Sequence, residues 1–543
     1  MTSTARTTQS SRTRKLAQST FIVMIAFGAA KALSLVQTVI IANVFGVGRE
    51  WDAFVTANRI PEQIFNLVAG GVLAHAFIPI FTSFLARDDD SGAWRLASRV
   101  INTAFLVAFI ASLIAFFTAP WLVENVVAPG FDAQSVQETA NLMRILLLST
   151  LIFSISGIVM GILQSFNSFL LPALAPILFD VGLLFGVIFL IEPLGSTGIA
   201  IGAVLGALLH LGIQVPGLIR YRARWSLTLG WNDPHLRRVI KLMIPRMFDL
   251  GLFSFATIFG NNIASRLGPG AVSALDWGWR LMQIPQTLIG TAMGTVIFPT
   301  LAALSEQGDI AGKRTAMSGA VRFILVATIP SAVGLIVVGQ PLVSLLERGE
   351  FDATATALVY NTLRFFALGV VVHSILEIIA RSFYADKDTF TPLLVAVGGT
   401  AVNIVAALVF SGVLTGDLNI ENVGGLALAN TLGIAFEVVA LMIILRKRWH
   451  GLEENAMART AAKALIASLV MAIALIGVNT AWNLLGLSGQ GTLITAIQIG
   501  IEIVVGALVF LVTAALLKTD EVFTLLNLLR RRGRDPQVSE AVP

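Results

Sequence analysis

The sequence predicts an all-α membrane protein with fourteen transmembrane helices, and three observations lead to this prediction. Of the 543 residues, 56% are hydrophobic and 13% are charged, which leaves too little polar surface for a soluble protein of this size. Apolar segments of roughly 20 residues or more, the length needed to cross a bilayer core about 30 Å thick, recur from Ser19 to Leu517. They are too long for the strands of a β-barrel, which need about 10 residues and alternate apolar with polar side chains.

The predicted spans are apolar segments that end at charged residues or turn formers. The first six lie at 19–45, 60–85, 97–124, 137–164, 170–192 and 197–219. The next six lie at 236–264, 271–302, 315–345, 354–384, 390–414 and 423–445. The last two lie at 460–483 and 491–517.

The distribution of the 37 lysine and arginine residues predicts the orientation of these spans. Cytoplasmic loops are enriched in basic residues, and most of the basic residues fall on one side if the amino terminus is cytoplasmic. The opposite side carries Arg49, Arg59, Arg144, Arg266 and Arg348. We therefore expect both termini in the cytoplasm, with a basic tail at 1–18 and an amphipathic basic tail at 519–543. The basic bias follows from this topology and does not indicate nucleic acid binding.

An internal comparison predicts two lobes related by a parallel repeat. The segments "NVFGVGREWDAFVTANRIP" (43–61) and "SRLGPGAVSALDWGWRLMQIP" (265–285) each contain a Gly-x-Gly turn, a basic residue and a following proline. The offset of about 220 residues spans six helices, so the two lobes have the same orientation, as in transporters that bind substrate between repeats. The alternative is coincidence among membrane helices that contain glycine and proline. The repeat predicts an N-lobe at 19–225, a C-lobe at 226–450 and two added helices within 451–518.

Cations inside apolar spans are the first candidate site residues. A lysine or arginine near the bilayer centre costs about 2.5 to 3.5 kcal/mol on insertion scales, so it normally faces a cavity or a partner. Lys31 lies on the first helix with Ser34 and Gln37 nearby, and Arg280 lies on the eighth helix. Arg59 lies nearer the outer edge, where arginines also serve as anchors. Converging cations are suited to a phosphate group.

Competing explanations apply to the charged pairs. Asp276 and Arg280 are four residues apart and could neutralise each other, as could Glu377 and Arg381. Asp249 follows Pro245 and is a candidate for binding a small cation or a proton, and the equal alternative is an ion pair with Arg246, three residues earlier.

The sequence favours a transporter over an enzyme. It contains no phosphate-binding loop of the G-x-x-x-x-G-K-[ST] type, no G-x-S-x-G motif and no cysteine. His373 and Glu377 lack a third metal ligand, so no metal site beyond a Na⁺ site is expected. We expect no cofactor, and an energy source in Na⁺ or H⁺ coupling or in the membrane potential.

Several motifs together resemble the MurJ (MviN) family of bacterial lipid II flippases, in the multidrug/oligosaccharidyl-lipid/polysaccharide exporter superfamily. They include "VFGVGREWDAFVTANRIP", "GILQSFNSFLLPALAPILFDVG", "WRLMQIPQTLIGTAMGTVIFPTLA" and "RSFYADKDTFTPLL". The resemblance implies alternating-access transport of the undecaprenyl-pyrophosphate-linked peptidoglycan precursor from the inner to the outer leaflet. It also implies a groove for the lipid tail at the last two helices and a location in the bacterial cytoplasmic membrane.

The resemblance assigns further site residues. Lys31, Arg59 and Arg280 match basic positions of the family, and Asp52 matches the acidic residue of its "DAF" segment. Gln37 and Asn66 stand where well-known members carry arginine, so the cavity is less cationic than the family pattern. Asp249, Asn403 and Thr431 match the region where some members bind sodium.

The expected partners are lipid II and membrane lipids, with the peptidoglycan synthesis machinery as a further possibility for a monomeric protein. The main alternative function is export of another polyprenyl-linked glycan, or of drugs, by the same architecture. A membrane scaffold that recruits wall-synthesis partners through its basic tail is the alternative from a different class.

Overall fold

The computed structural model describes residues 33–34, 36–68, 72–487 and 491–523, apart from the side chains of residues 72–75, 245, 246 and 249. Lys31, the amino-terminal tail and most of the carboxy-terminal tail lie outside these residues. The described chain is helical and divides into two compact units, Met1–Val272 and Ser273–Pro543.

The first unit is built from helices that follow one another with short connections. They are α1 (Val36–Phe45), α2 (Arg49–Val68), α3 (Val72–Leu85), α4 (Asp90–Leu122), α5 (Ala133–Ser165), α6 (Leu170–Phe185), α7 (Ile191–Leu194), α8 (Thr197–Gly212), α9 (Val215–Arg220) and α10 (Pro234–Arg266). Helix α10 packs against α2, α3 and α4, which places it with the first unit. The lobe boundary between residues 225 and 226 was predicted from the internal repeat, whereas the two units are defined by packing. The predicted lobe boundary therefore stays a prediction.

The second unit contains almost all of α11 and every later helix. They are α11 (Ala271–Gln286), α12 (Ala292–Glu306), α13 (Ile310–Ser344), α14 (Ala353–Ala385), α15 (Phe390–Phe410), α16 (Val423–Trp449), α17 (Glu454–Leu484) and α18 (Thr492–Leu516). Helices α13, α14 and α16 pack together, and α17 and α18 pack against each other and against α13.

Eleven helical segments of the described chain are long and apolar enough to cross a membrane. They coincide with the predicted spans three to six and eight to fourteen. Most of the first predicted span lies outside the described residues, and the seventh coincides with the 33-residue helix α10, which is not among the eleven. The second predicted span, 60–85, covers the end of α2 and all of α3, and the residues between these two helices, 69–71, lie outside the described residues. The all-helical, multi-span membrane fold is confirmed, and the number of fourteen transmembrane helices stays a prediction.

The helix starts support the internal repeat. Asp89 and Asp309 precede α4 and α13, and Asp132 and Asp352 precede α5 and α14, so the members of each pair stand 220 residues apart. Each of these four carboxylates accepts a hydrogen bond from the backbone N–H three residues later, at 2.7 to 2.8 Å. Such caps satisfy amide groups that the first helical turn leaves without partners. The same capping chemistry at the same offset makes coincidence a poor explanation of the repeat.

Each unit has its own hydrophobic core. In the first unit, Phe77 and Phe81 of α3 pack with Trp94 of α4 and with residues of α5 and α10. In the second unit, buried residues of α12, α13, α14 and α16 form a cluster that extends past Trp449 to Met457 of α17. These cores hold the helices that carry the candidate site residues.

Glycines allow α6 and α8 to approach backbone to backbone. Gly182 on α6 and Gly186, which directly follows α6, face Gly198, Gly202 and Gly206 on α8, each set at intervals of four residues. A Cβ atom at Gly202 would lie 2.7 Å from the Cα atom of Gly186. Small residues at this spacing are the usual means of close helix packing in membranes.

Substitution of Gly202 by alanine is expected to destabilise the first unit by about 1 to 3 kcal/mol, the typical cost of overpacking a close contact. Gly212 is the matched control, because it lies at the end of the same helix and a Cβ atom there would meet nothing within 4 Å. Thermal unfolding in detergent should show a lower midpoint for Gly202→Ala than for Gly212→Ala. Equal midpoints would contradict the close α6–α8 contact.

Three long helical segments contain a π-helical turn, at Val123–Val127, Gly186–Leu190 and Thr287–Thr291. A π turn adds a residue to the helical repeat and is frequently found near functional sites. The turn at Thr287–Thr291 joins α11 to α12 and lies in the same apolar segment as the candidate residue Arg280.

Candidate functional site

A polar stripe runs along α2 in the first unit. Its residues are Asp52, Thr56, Arg59, Gln63 and Asn66, at alternating intervals of four and three, so they share one face of the helix. Asp52, Thr56 and Gln63 are buried, whereas Arg59 and Asn66 are partly exposed. This stripe contains three of the residues predicted to bind substrate.

Helix α10 supplies polar partners for the middle of the stripe. The Nε atom of Arg59 donates a hydrogen bond to Oδ1 of Asn261 at 3.3 Å. Asn261 is itself fixed, because its amide donates to Oγ1 of Thr56 at 3.2 Å and to the carbonyl oxygen of Val127 at 3.1 Å. Ser254, two turns earlier on α10, donates to Gln63. The guanidinium of Arg59 is therefore oriented by a positioned amide, an arrangement suited to presenting a cation to an anionic ligand.

Asp52 has a structural position within the first unit. Its side chain is only 1% exposed, and its Oδ2 atom accepts a hydrogen bond from the backbone N–H of Gly270 at 2.6 Å. This contact joins the start of α2 to the Gly-x-Gly turn after α10. The geometry explains an acid at this position by the turn that it stabilises, and its predicted contact with substrate stays a prediction.

The candidate residues of the first helix are only partly described, since Lys31 lies outside the described residues. Oγ1 of Thr38 donates a hydrogen bond to the backbone carbonyl of Ser34 at 2.8 Å, so this hydroxyl is used within the helix. Gln37 is buried, and its Nε2 atom has no hydrogen-bond partner among the described residues. An unpartnered buried amide donor is costly, which makes Gln37 a candidate contact for a ligand or water.

Arg280 on α11 forms the predicted pair with Asp276. Its Nε atom lies 2.7 Å from Oδ2 of Asp276, while 47% of its side chain remains exposed. The guanidinium also lies over the ring of Trp277, with 5.9 Å between Cζ and the ring centroid. A carboxylate and an aromatic face thus orient the arginine and leave much of its fork accessible. Pairing and ligand binding are compatible at this residue.

A second ion pair lies beside the π-helical turn that follows α11. Oγ1 of Thr291 donates to Oε1 of Glu377 at 3.4 Å, and Glu377 forms an ion pair with Arg381 one turn further along α14. This confirms the predicted alternative that Glu377 and Arg381 pair with each other. His373 interacts with Oδ1 of Asn430 at 3.1 Å. The described residues contain no cluster of three or more histidine, aspartate or glutamate side chains placed to hold a metal ion.

Two members of the predicted cation site, Thr431 of α16 and Asn403 of α15, make contacts on different sides of α16. Thr431 is buried against α14, where its hydroxyl donates to the carbonyl oxygens of Ala427 at 3.0 Å and Phe365 at 3.3 Å. Asn403 of α15 packs instead against Gly433, whose Cβ atom would lie 2.8 Å from that of Asn403. The side chain of Asp249 is not among those described. The cation site at these three residues stays a prediction, and the contacts of Thr431 do not favour it.

Sequence reasoning missed Asn261 and Ser254, although they orient the side chains of α2. One signal was available in the segment "GNNIAS", which places two asparagines in an otherwise apolar helix. Buried amides need hydrogen-bond partners, so such residues indicate polar contacts between helices. Their partners could not be named, because they lie about two hundred residues earlier in the chain.

Comparison with known proteins identifies the family. The family model described as lipid II flippase MurJ matches residues 41–496. The chain is 28% identical over 505 residues to a probable lipid II flippase MurJ of Rhizobium tropici, covering 92% of this chain and 93% of the relative. It is 29% identical over 429 residues to the lipid II flippase MurJ of Burkholderia cenocepacia, covering 77% of this chain and 81% of the relative.

Solved structures with the same fold agree with this match. A structure described as lipid II flippase MurJ in an inward closed conformation superposes with a TM-score of 0.76 at 24% identity, covering 92% of this chain and 99% of that one. An inward-facing multidrug transporter of the MATE family superposes with a TM-score of 0.65 at 16% identity, covering 77% and 96%. These similarities show the fold, and the match to the family model extends over most of the chain. The chain therefore belongs to the lipid II flippase MurJ family.

Proposed function

We propose that this protein translocates lipid II, the undecaprenyl-pyrophosphate-linked peptidoglycan precursor, from the inner to the outer leaflet of the bacterial cytoplasmic membrane. The observation that carries the proposal is the match to the lipid II flippase model over residues 41–496. The activity is transport and not enzymatic catalysis, in keeping with the family. We further propose an alternating-access cycle, which the internal repeat supports.

The oriented arginines support a diphosphate ligand. Arg59 is held by an amide oxygen at 3.3 Å and Arg280 by a carboxylate oxygen at 2.7 Å. Guanidinium groups bind phosphate through paired, charge-assisted hydrogen bonds, and a pre-oriented fork loses little freedom on binding. We propose that each arginine contacts the diphosphate during translocation, together with Lys31.

The last two helices are proposed to contact the lipid tail. Exposed apolar side chains follow one another along α17 at Leu465, Leu469, Ile473 and Ile476. Helix α18 has a similar series at Ile497, Ile501, Val504 and Leu508. Such surfaces are suited to hydrocarbon, whether from bulk lipid or from the polyprenyl chain.

The orientation with both termini in the cytoplasm is part of the same proposal, supported by the distribution of basic residues. We also propose that the protein acts as a monomer and that the peptidoglycan synthesis machinery receives its product.

A leaflet-accessibility assay tests the proposed function. Lipid II is placed in the inner leaflet of proteoliposomes, and its exposure outside is measured with a membrane-impermeant probe, with and without the protein. We expect rapid exposure only when the protein is present. Cells depleted of their own flippase should also regain growth when they express this chain. Export of a different polyprenyl-linked glycan or of a drug, with lipid II left inside, would contradict the proposal.

A further inference from the structure

Helix α18 contains a single charged residue, Glu502, in the segment 491–517. It stands ten residues after the helix start at Thr492, which corresponds to about 15 Å along the axis. This distance places it near the middle of a bilayer core about 30 Å thick. An ionisable residue at such a depth is expensive, and it indicates a functional site unless a partner compensates it.

The carboxyl group of Glu502 is buried and only half satisfied. The residue is 1% exposed. Its Oε1 atom accepts a hydrogen bond from Nε2 of Gln498 at 2.9 Å, whereas its Oε2 atom has no hydrogen-bond partner among the described residues. No ion pair in the described part of the chain includes Glu502. An ionised carboxylate would therefore be buried without a compensating cation.

The elements packed against α18 offer no nearby charge. The segments of α17 at 464–484 and of α13 at 323–346 contain no charged residue. Arg322 on α13 is paired with Glu521, beyond the far end of α18, at 3.1 Å. Glu347, just after α13, accepts a hydrogen bond from Oγ1 of Thr356 at 2.6 Å. Because nothing compensates an ionised Glu502, the neutral acid is the favoured form at this depth.

A polar cavity provides a route between Glu502 and the solution. The cavity has a volume of about 530 Å³ and is lined by residues from α13, α17 and α18, among them Gln340, Glu347, Asn479 and Gln498. Gln498 both lines the cavity and contacts Glu502, and its Nε2 atom also lies 3.5 Å from Oδ1 of Asn479. The carboxyl group is thus one side chain away from the cavity.

We propose that Glu502 is a proton-binding site of the α17–α18 helix pair and that it exchanges its proton with the solution through Gln498 and this cavity. The reaction is the protonation of a carboxylate to a carboxylic acid, with no other reactant. In the orientation that forms part of the proposed function, the cavity opens at the outer face. A metal cation fits less well, because the neighbouring amide presents its NH₂ group to the carboxylate, whereas Na⁺ and similar ions require several oxygen ligands.

Infrared difference spectroscopy of the full-length protein in lipid tests the proton site. We expect the C=O absorption of a protonated carboxylic acid to disappear as the pH is raised, and this signal to be lost in Glu502→Gln. Glu347→Gln is the matched control, since it removes the acid at the rim of the cavity, and it should keep the signal. A Glu502→Gln protein whose pH-dependent carboxyl signal equals that of the wild type would overturn the proposal.

The side from which the proton arrives is tested in proteoliposomes with separately controlled inner and outer pH. The signal of Glu502 should follow the outer pH, and dependence on the inner pH would overturn the assigned route. Both measurements are made without lipid II, so they can succeed or fail independently of the flippase activity. If lipid II translocation fails in the leaflet assay while the titration is observed, the proposed function is wrong and the proton site stands.

Discussion

Replacement of Arg280 by alanine is expected to slow lipid II translocation about tenfold to a hundredfold. A hydrogen bond to a charged group contributes about 1.5 to 3 kcal/mol, and each 1.4 kcal/mol corresponds to a factor of ten. Arg280→Lys should retain part of the rate, because it keeps the charge but loses the planar fork that binds phosphate through two hydrogen bonds. The rate is measured with the leaflet-accessibility assay.

Arg364 offers a matched control for this experiment. It is an exposed arginine on α14 of the second unit, and its guanidinium donates to Oδ1 of Asn361 at 2.6 Å. Arg364→Ala should therefore leave the rate close to that of the wild type. Combined replacement of Lys31 and Arg280 by alanine should abolish complementation of flippase-depleted cells. Full growth of those cells would rule out both residues as substrate contacts.

Replacement of Asp386 by alanine is expected to lower the free energy of unfolding by about 3 kcal/mol, the lower end of the cost of breaking a buried ion pair, because Lys313 is buried but 21% of the Asp386 side chain is exposed. Asp386 follows α14 and accepts hydrogen bonds from Nζ of Lys313 at 2.6 Å and from Oγ of Ser305 at 2.5 Å. The indole of Trp449 lies 3.4 Å from its second oxygen. One carboxylate thus joins the ends of four helices, and its loss leaves the buried Lys313 ammonium without its partner.

The unfolding experiment has two controls. Asp417→Ala removes an exposed aspartate from a loop of the same unit and should change stability little. The double variant Lys313→Met, Asp386→Leu should recover part of the loss, because replacing both charges by apolar groups is far less costly than leaving one unpaired. A single and a double variant of equal stability would show that the ion pair is not the origin of the effect.

Acidification should weaken the same contact. Burial acts to raise the pKa of Asp386, but the hydrogen bonds from Lys313 and Ser305 and the charge of Lys313 outweigh it, so the pKa falls below its usual value near 3.8. A group whose pKa is lowered on folding stabilises the protein above its unfolded-state pKa and loses that contribution as the pH falls. The stability difference between wild type and Asp386→Ala should therefore be complete above about pH 5 and shrink below it.

Much of the fold could be predicted because membrane spans depend on local composition. The fifth helix illustrates this, since a span predicted at 137–164 is observed as Ala133–Ser165. The predicted bounds were less accurate for a helix that carries many polar residues. Helix α2 begins at Arg49, although its apolar span was placed from residue 60, because its buried face carries polar residues whose partners lie on α10.

The candidate site could be predicted only in part, for a related reason. A charge in an apolar segment is visible in the sequence, which is how Arg59 and Arg280 were found. Their orientation depends on Asn261, which is 202 residues from Arg59, and on Asp276, which is one helical turn from Arg280. The local pair could be predicted from spacing, whereas the distant pair required the packed structure. At Asp52 the sequence predicted a contact with the ligand, whereas the structure shows a hydrogen bond from the backbone N–H of Gly270.

The π-helical turn at Thr287–Thr291 has a consequence for changes in chain length. Successive residues of an α-helix are rotated by about 100°, so one added residue changes the direction of every side chain that follows it. Deletion of one residue within this turn could restore regular helix locally, yet it would rotate α12 relative to α11 by about that angle. Gly294, which accommodates the guanidinium of Arg381, would then leave its present position. The relative orientation of α11 and α12 thus depends on the number of residues in the turn between them as much as on the identity of those residues.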